Sequence, residues 1–122
     1  MKIMVVDDEK DMKLLFEQRF RREIRMGQLA FLFAFSGEEA RDYLKSNGTK
    51  DVNQILSDIN MPGMNGLDLL KWIKSNYPEL KVAMITAYGN EENYKQAKEY
   101  GCDDYLIKPI DFGVLKQKVL PG

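Results

Sequence analysis

The chain has 122 residues, 44% of them hydrophobic, with a net charge of −1, which fits one packed domain and argues against disorder. That charge sets up no overall field for nucleic acid or an anionic membrane, and no apolar stretch approaches the length needed to span a bilayer. There is no histidine, which removes imidazole acid–base chemistry, Ser-His-Asp triads and His-containing zinc sites, and the single cysteine, Cys102, has no partner for an internal disulfide. What remains for chemistry is carboxylates, hydroxyls, lysine and a metal ion.

The apolar pattern alternates between two periods. Lys2 to Val6 predicts a buried strand, preceded by no long apolar segment of the kind that marks a signal peptide. Lys10 to about Ile24 predicts one helix, with Met12, Leu15, Phe16 and Phe20 on one face. Leu29 to Phe35 is an unbroken apolar and aromatic run, a second strand. Ser36, with Glu39 three residues on, predicts a capping box for a helix through Ala40 and Leu44 to a stop at Asn47-Gly48. Gln54 to Ser57 is the third strand. Gly66 to about Asn76 is the third helix, carrying Leu67, Leu70 and Ile73, with Pro78 after it. Lys81 to Thr86 is the fourth strand. Asn90 caps a helix from Glu91 to Tyr100, with Gly101 as its stop. Asp104 to Ile107 is the fifth strand, and Asp111 caps a last helix with Phe112, Leu115 and Val119 on one face.

Five strands alternating with five helices predict an α/β domain over residues 1–122, a doubly wound parallel sheet of the flavodoxin-like order 2-1-3-4-5. The last helix reads as short, as expected of a domain trimmed from a longer protein. The order 2-1-3-4-5 has its switch point between strands 1 and 3, where such sheets bind ligands beyond the carboxyl ends of their strands. Asp7 and Asp8 end the first strand and Asp58 follows the third, so three acids meet at that crevice. Thr86 ends the fourth strand, and Lys108, before Pro109, follows the fifth. The proline holds its predecessor out of helical backbone and suits a tight turn.

Three neighbouring carboxylates repel one another unless a proton or a cation intervenes. Mg²⁺ takes about six oxygen ligands and keeps several waters, so Asp8 and Asp58 suffice as direct ligands, with Asp7 direct or through water. The competing reading makes Asp7-Asp8 a cap for the first helix. Lys108 can pair with Asp58 or with phosphoryl oxygens, and the Thr86 hydroxyl can donate to a phosphoryl group. Arg19, Arg21, Arg22 and Arg25 read as ordinary cations near a helix C-terminus rather than a polyanion site. Trp72 falls off the apolar face of its helix, as a contact residue or as packing against a loop. Cys102 reads as a small buried hydrophobe.

Asp7-Asp8, Asp58 before Met61-Pro62-Gly63, Thr86-Ala87, and Tyr105 before Lys108-Pro109 together resemble the response-regulator receiver domain of two-component signalling, over the whole chain. The resemblance implies that Asp58 is the phospho-acceptor, that Asp8, Asp58 and the main-chain carbonyl of Asn60 hold Mg²⁺ with Asp7 in support, that Lys108 binds the phosphoryl group, and that Thr86 and Tyr105 are a switch pair. It implies a phosphohistidine donor on a sensor histidine kinase or phosphotransfer protein. It also implies an output domain or effector met through the face of the fourth helix, fifth strand and fifth helix, a face open as well to a phosphorylation-dependent homodimer; the single cysteine, for its part, fits a reducing cytoplasm. It places tuning of the phosphoryl lifetime at Asn60 and Tyr88. Two other classes compete. An aspartyl-phosphate phosphohydrolase would carry a second aspartate as general acid two residues after the nucleophile, where this chain has Asn60, and a cap domain for its substrate. A binding module of the same fold would need none of the acids, threonine and lysine found here.

Overall fold

The computed structural model describes residues 1–120. Five strands, β1 (Lys2–Val6), β2 (Ala30–Ala34), β3 (Gln54–Asp58), β4 (Lys81–Thr86) and β5 (Asp104–Ile107), form one sheet in the order β2-β1-β3-β4-β5. Every pairing is parallel, with Val5 opposite Phe33 on one side and Leu56 on the other. Six helices connect and cover it: α1 (Asp11–Arg19), α2 (Arg21–Arg25), α3 (Gly37–Asn47), α4 (Gly66–Asn76), α5 (Glu91–Glu99) and α6 (Phe112–Val119).

The strands read as continuous apolar runs because helices cover both faces. Met4, Val6, Ile55, Val82 and Met84 point to one side, into a core with Ala40, Leu44, Leu70, Ile73 and Ala97 of α3, α4 and α5. Ile3, Val5, Leu56, Ala83 and Ile85 point to the other, against Phe16, Phe20, Leu115 and Val119. The chain leaves β1 toward the second layer and β3 toward the first, which opens the crevice between those two strands.

The predicted order and strand content hold, and several local details differ. The first predicted helix is two, parted at Phe20 (φ −108°, ψ 18°), so the described residues hold six helices rather than five. Phe20 is fully buried, its ring stacked 6.0 Å from Phe16 and edge-on to Phe31 at 5.1 Å. Burying a phenyl ring stabilises by about 1.5–3 kcal/mol, and the departure of Phe20 from helical dihedrals costs little, because the Phe20 N–H still donates to the Phe16 carbonyl at 3.0 Å and the Ile24 N–H to the Phe20 carbonyl at 2.9 Å. Leu29 and Phe35 lie outside β2, whose pairing stops with the last residue of β1. Asp58 belongs to β3, and Tyr100 is the C-cap of α5 rather than its last turn. At Ser36 the hydroxyl accepts from the Glu39 N–H at 3.0 Å, one half of a capping box. The reciprocal pair forms at α4 instead, between Asn65 and Asp68. Asn90 and Asp111 cap α5 and α6 as expected.

Candidate functional site

The four strand ends at the crevice bring the predicted residues together. Asp7, Asp8 and Asp58 each offer a carboxylate oxygen within 4.8 Å of the others. Asp7 and Asp58 are buried and Asp8 is exposed. The capping alternative for Asp7-Asp8 fails: the N-cap of α1 is Lys10, with no side-chain cap bond among the described residues. Asp7 Oδ1 instead accepts from the Glu9 N–H at 2.9 Å, which aims its other oxygen into the crevice.

Lys108 bridges the buried acids, its Nζ 3.2 Å from Asp7 Oδ2 and 3.6 Å from Asp58 Oδ2. The expected pairing with Asp58 is present, but the nearer partner is Asp7. Its main-chain N–H donates to the Thr86 carbonyl at 2.8 Å, and the Lys108–Pro109 peptide is cis. Burial alone would pull the amine down, yet the facing charges of Asp7 and Asp58 outweigh it and leave the lysine above its ordinary value. Asp58 is pushed up, first by burial and then by the Asp7 charge, which Lys108 only partly offsets. An acid held in this way favours anything that supplies positive charge to its oxygens.

Asp8, Glu9, Asp58, Asn60, Tyr88 and Lys108 line a cavity of about 260 Å³. Glu9 was not among the predicted residues. The sequence signal was a third consecutive acid after β1, and its charge also bears on Lys108. A larger groove of about 520 Å³ lies between α1 and the start of α6, lined by Met12, Leu15, Ile110 and Phe112 among others, and Lys108 lines both cavities.

Thr86 is fully buried, and its hydroxyl is spent on its own loop: Oγ1 accepts from the Tyr88 N–H at 3.0 Å and donates to the Tyr88 carbonyl at 3.3 Å. Tyr88 is exposed at the rim. Tyr105 stands on β5 outside the acid cluster, its ring edge-on to Tyr94 of α5 at 5.2 Å. Its hydroxyl is buried with no hydrogen-bond partner among the described residues. Trp72 is half-buried with its ring edge-on to Tyr77, which favours the packing reading, and Cys102 is buried as expected. Arg19, Arg21, Arg22 and Arg25 are all exposed, around the α1–α2 junction.

The residues fit a hard divalent cation: oxygen donors, two of them buried, one acid pushed toward protonation by burial and then by its neighbour, and a cavity open to water. No helix among the described residues is long and apolar enough to cross a membrane.

Known proteins resemble this chain in sequence and in fold. The chain is 39% identical over 109 residues to the DNA-binding transcriptional regulator NtrC of Proteus hauseri, covering 89% of this chain and 22% of that protein. It is 36% identical over 121 residues to the chemotaxis protein CheY1 of Helicobacter pylori, covering 98% of this chain and 94% of that protein. Thus it spans under a quarter of NtrC and nearly all of CheY1. Among solved structures, the response regulator TrrA of Thermotoga maritima, in complex with Mg²⁺ and BeF, superposes with a TM-score of 0.79 at 29% identity, covering 97% of this chain and 95% of that one. A receiver domain protein from Clostridium thermocellum gives 0.83 at 27% identity, covering 95% and 88%. The sequence model of the response regulator receiver domain matches residues 3–120. With sheet order, acid cluster and sequence in agreement, the chain belongs to the response regulator receiver domain family.

Proposed function

We propose that this domain accepts a phosphoryl group on Asp58 from a phosphohistidine of a sensor histidine kinase or phosphotransfer protein, and that the modification switches its α5–β5–α6 face. The observation that carries the proposal is the buried Asp58 carboxylate set between two acids and a shared lysine.

A carboxylate oxygen of Asp58 forms the new bond to phosphorus. The phosphorus–nitrogen bond of the donor breaks, and its electron pair stays on the imidazole, which takes up a proton. Asp8 and Asp58, the main-chain carbonyl of Asn60 and, directly or through water, Asp7 are the residues to hold Mg²⁺. Bound there, the cation would neutralise charge on the acids and on the transferring oxygens. Lys108 moves its amine from the Asp7–Asp58 pair to a phosphoryl oxygen. The chain has no histidine, so the donor is another molecule or another domain. The acyl phosphate is open to hydrolysis, and Tyr88, at the cavity rim two residues after Thr86, screens it from water. Tyr88 and Asn60 thereby tune the lifetime. The domain catalyses its own phosphorylation and slow dephosphorylation rather than turning over a substrate. Asn60, in place of a second acid, supports that reading over a phosphohydrolase.

Switching needs an element with two arrangements. The Thr86 hydroxyl is engaged with Tyr88 and must leave it to donate to the phosphoryl group. Tyr105, with its unpartnered hydroxyl, follows into the vacated space, and the face of α5, β5 and α6 changes. An output domain, an effector or a second copy of the domain then reads that face. The protein works in the cytoplasm, where such donors are made, and needs neither nucleic acid nor membrane itself. Tyr105→Ala is expected to leave phosphorylation intact while weakening phosphorylation-dependent self-association or partner binding by about tenfold or more, the scale of one buried aromatic contact. Unchanged coupling, read by sizing columns with and without acetyl phosphate, would refute Tyr105 as the relay.

The direct test is intact mass after incubation with acetyl phosphate. The parent is expected to gain one phosphoryl group only when Mg²⁺ is present, and Asp58→Asn to gain none. A folded parent that gains nothing in either condition would leave a binding module of the same fold as the better reading.

A further inference from the structure

The loop of residues 59–65 follows the acceptor and carries Asn60. It is gripped from α3 as well as by its own ends. The Met64 N–H donates to Glu38 Oε2 at 3.2 Å, across 26 positions of sequence. Gly63 stands at φ +73°, and a Cβ there would fall 2.5 Å from the same carboxylate oxygen. From the other side, a Cβ on Gly37 would fall 2.5 Å from the Met64 carbonyl oxygen. Two glycines therefore let the first turn of α3 and the loop interlock, with the Glu38 carboxylate wedged between them.

The second oxygen, Glu38 Oε1, is buried with no hydrogen-bond partner among the described residues. A buried, unsatisfied carboxylate oxygen costs about 1–3 kcal/mol or more, so packing alone is a poor reason to keep one. An apolar side chain would fill the space without that cost. An oxygen with unmet capacity beside a chain of main-chain amides has a ready use if the loop tightens.

We infer that Glu38 is a positioning residue, which holds loop 59–65 so that the Asn60 main chain faces the acid cluster and which thereby sets the affinity of the site for Mg²⁺. One carboxylate oxygen accepts from the Met64 N–H and holds the loop. The other is buried without a partner among the described residues and has capacity for a further donor. The inference rests on the reading of the acid cluster as a Mg²⁺ site. It adds an outer residue, contributed by α3, whose role is affinity rather than chemistry.

The test is a calorimetric Mg²⁺ titration of the parent, Glu38→Gln, Glu38→Asp and Glu38→Met, with thermal melts of each in EDTA. Gln keeps an acceptor oxygen at the same reach and is expected to bind within about twofold of the parent. Asp keeps the charge but falls short of Met64, and Met keeps the bulk without an acceptor. Both are expected to weaken binding by about tenfold, the lower end for outer-shell partners of metal ligands. Their rate of phosphorylation by acetyl phosphate should return to the parent's at saturating Mg²⁺. Asp decides the question if Met does not fold. Parent-like Mg²⁺ affinity in Asp or Met overturns the inference, as does an equal loss in Gln that tracks a lowered melting temperature. A parent that binds no Mg²⁺ overturns both this inference and the metal-dependent mechanism. A parent that binds Mg²⁺ but takes no phosphoryl group overturns the phosphoryl-transfer reading alone.

Discussion

Asp58→Asn is expected to do two opposite things: abolish phosphoryl uptake and raise the stability of the metal-free domain at neutral pH. The first follows because the amide has no nucleophilic carboxylate oxygen. The second follows from the electrostatics of the crevice. Burial and the Asp7 charge push Asp58 up, so its ionised form is a cost to the folded chain. A carboxyl whose folded value lies above its unfolded one contributes stability that is fully present below the unfolded value. That contribution disappears as pH rises through the folded value. The metal-free parent should therefore lose stability between acid and neutral pH on account of this group, and Asp58→Asn should not. Lys108 is also raised, so its contribution is fully present through neutral pH and is lost only in alkali, while Glu23 is held down and adds an opposite acid-side slope that parent and variant share. Charges within 4.8 Å of one another repel by about 3 kcal/mol at an effective dielectric of about 20. After the offset from Lys108, a gain of about 1–2 kcal/mol is expected. Mg²⁺ reverses the order, because a ligand at 100 times its Kd stabilises by about 2.7 kcal/mol, and the variant has lost a ligand oxygen charge. Thermal melts in EDTA and in Mg²⁺, at pH 5 and pH 7.5, test this. A variant less stable than the parent in EDTA at pH 7.5 would show that the acids are not in conflict.

Gly66→Ala is expected to be the most damaging single-methyl change in the domain. Gly66 opens α4 and its N–H donates to the Ile59 carbonyl at 2.8 Å. A Cβ there would run into the Asp58 carbonyl oxygen, which belongs to β3 and cannot swing aside as a side chain would. Helix propensity favours alanine by about 1 kcal/mol, and the collision reverses the sign. Overpacking of this kind costs about 1–3 kcal/mol or more, and the displaced atom carries the acceptor residue. Stability by urea denaturation should fall by about 2–3 kcal/mol, and Mg²⁺ affinity should fall with it. Gly113→Ala in α6 is the control. Its Cβ would meet only the Asp111 side chain, at 3.2 Å, so the change should lie within about 1 kcal/mol of the parent. If the two variants melt alike, close approach is not what keeps position 66 free of a side chain.

Much of the fold was legible in the residues because buried parallel strands and amphipathic helices have different apolar periods. Ile3 to Val6 and Val82 to Ile85 are apolar without alternation, and Asn90 and Asp111 announce their helices by a side chain that accepts from a first-turn amide. The break at Phe20 was not legible. Phe16 and Phe20 sit four apart, as one helix requires, and Ile24 four beyond. Phe20 leaves helical dihedrals while its ring packs on Phe31 and Phe112, contacts with residues far along the chain. Likewise Ser36 and Glu39 have the capping-box spacing, but Glu39 is exposed and its neighbour Glu38 is drawn to Met64.

At the site, the sequence by itself determined which groups stand at the strand ends: acids after β1 and β3, a hydroxyl after β4, a lysine before proline after β5. Covalent order is enough for that, because each follows directly from an apolar run. The tertiary structure alone decided that Lys108 lies nearer Asp7 than Asp58, that the Thr86 hydroxyl is tied to Tyr88, and that Glu38 reaches the loop beyond the acceptor. Coulomb energy depends on separation, desolvation on what lies around a charge, and hydrogen bonding on angle. None of these is a property of position along a chain.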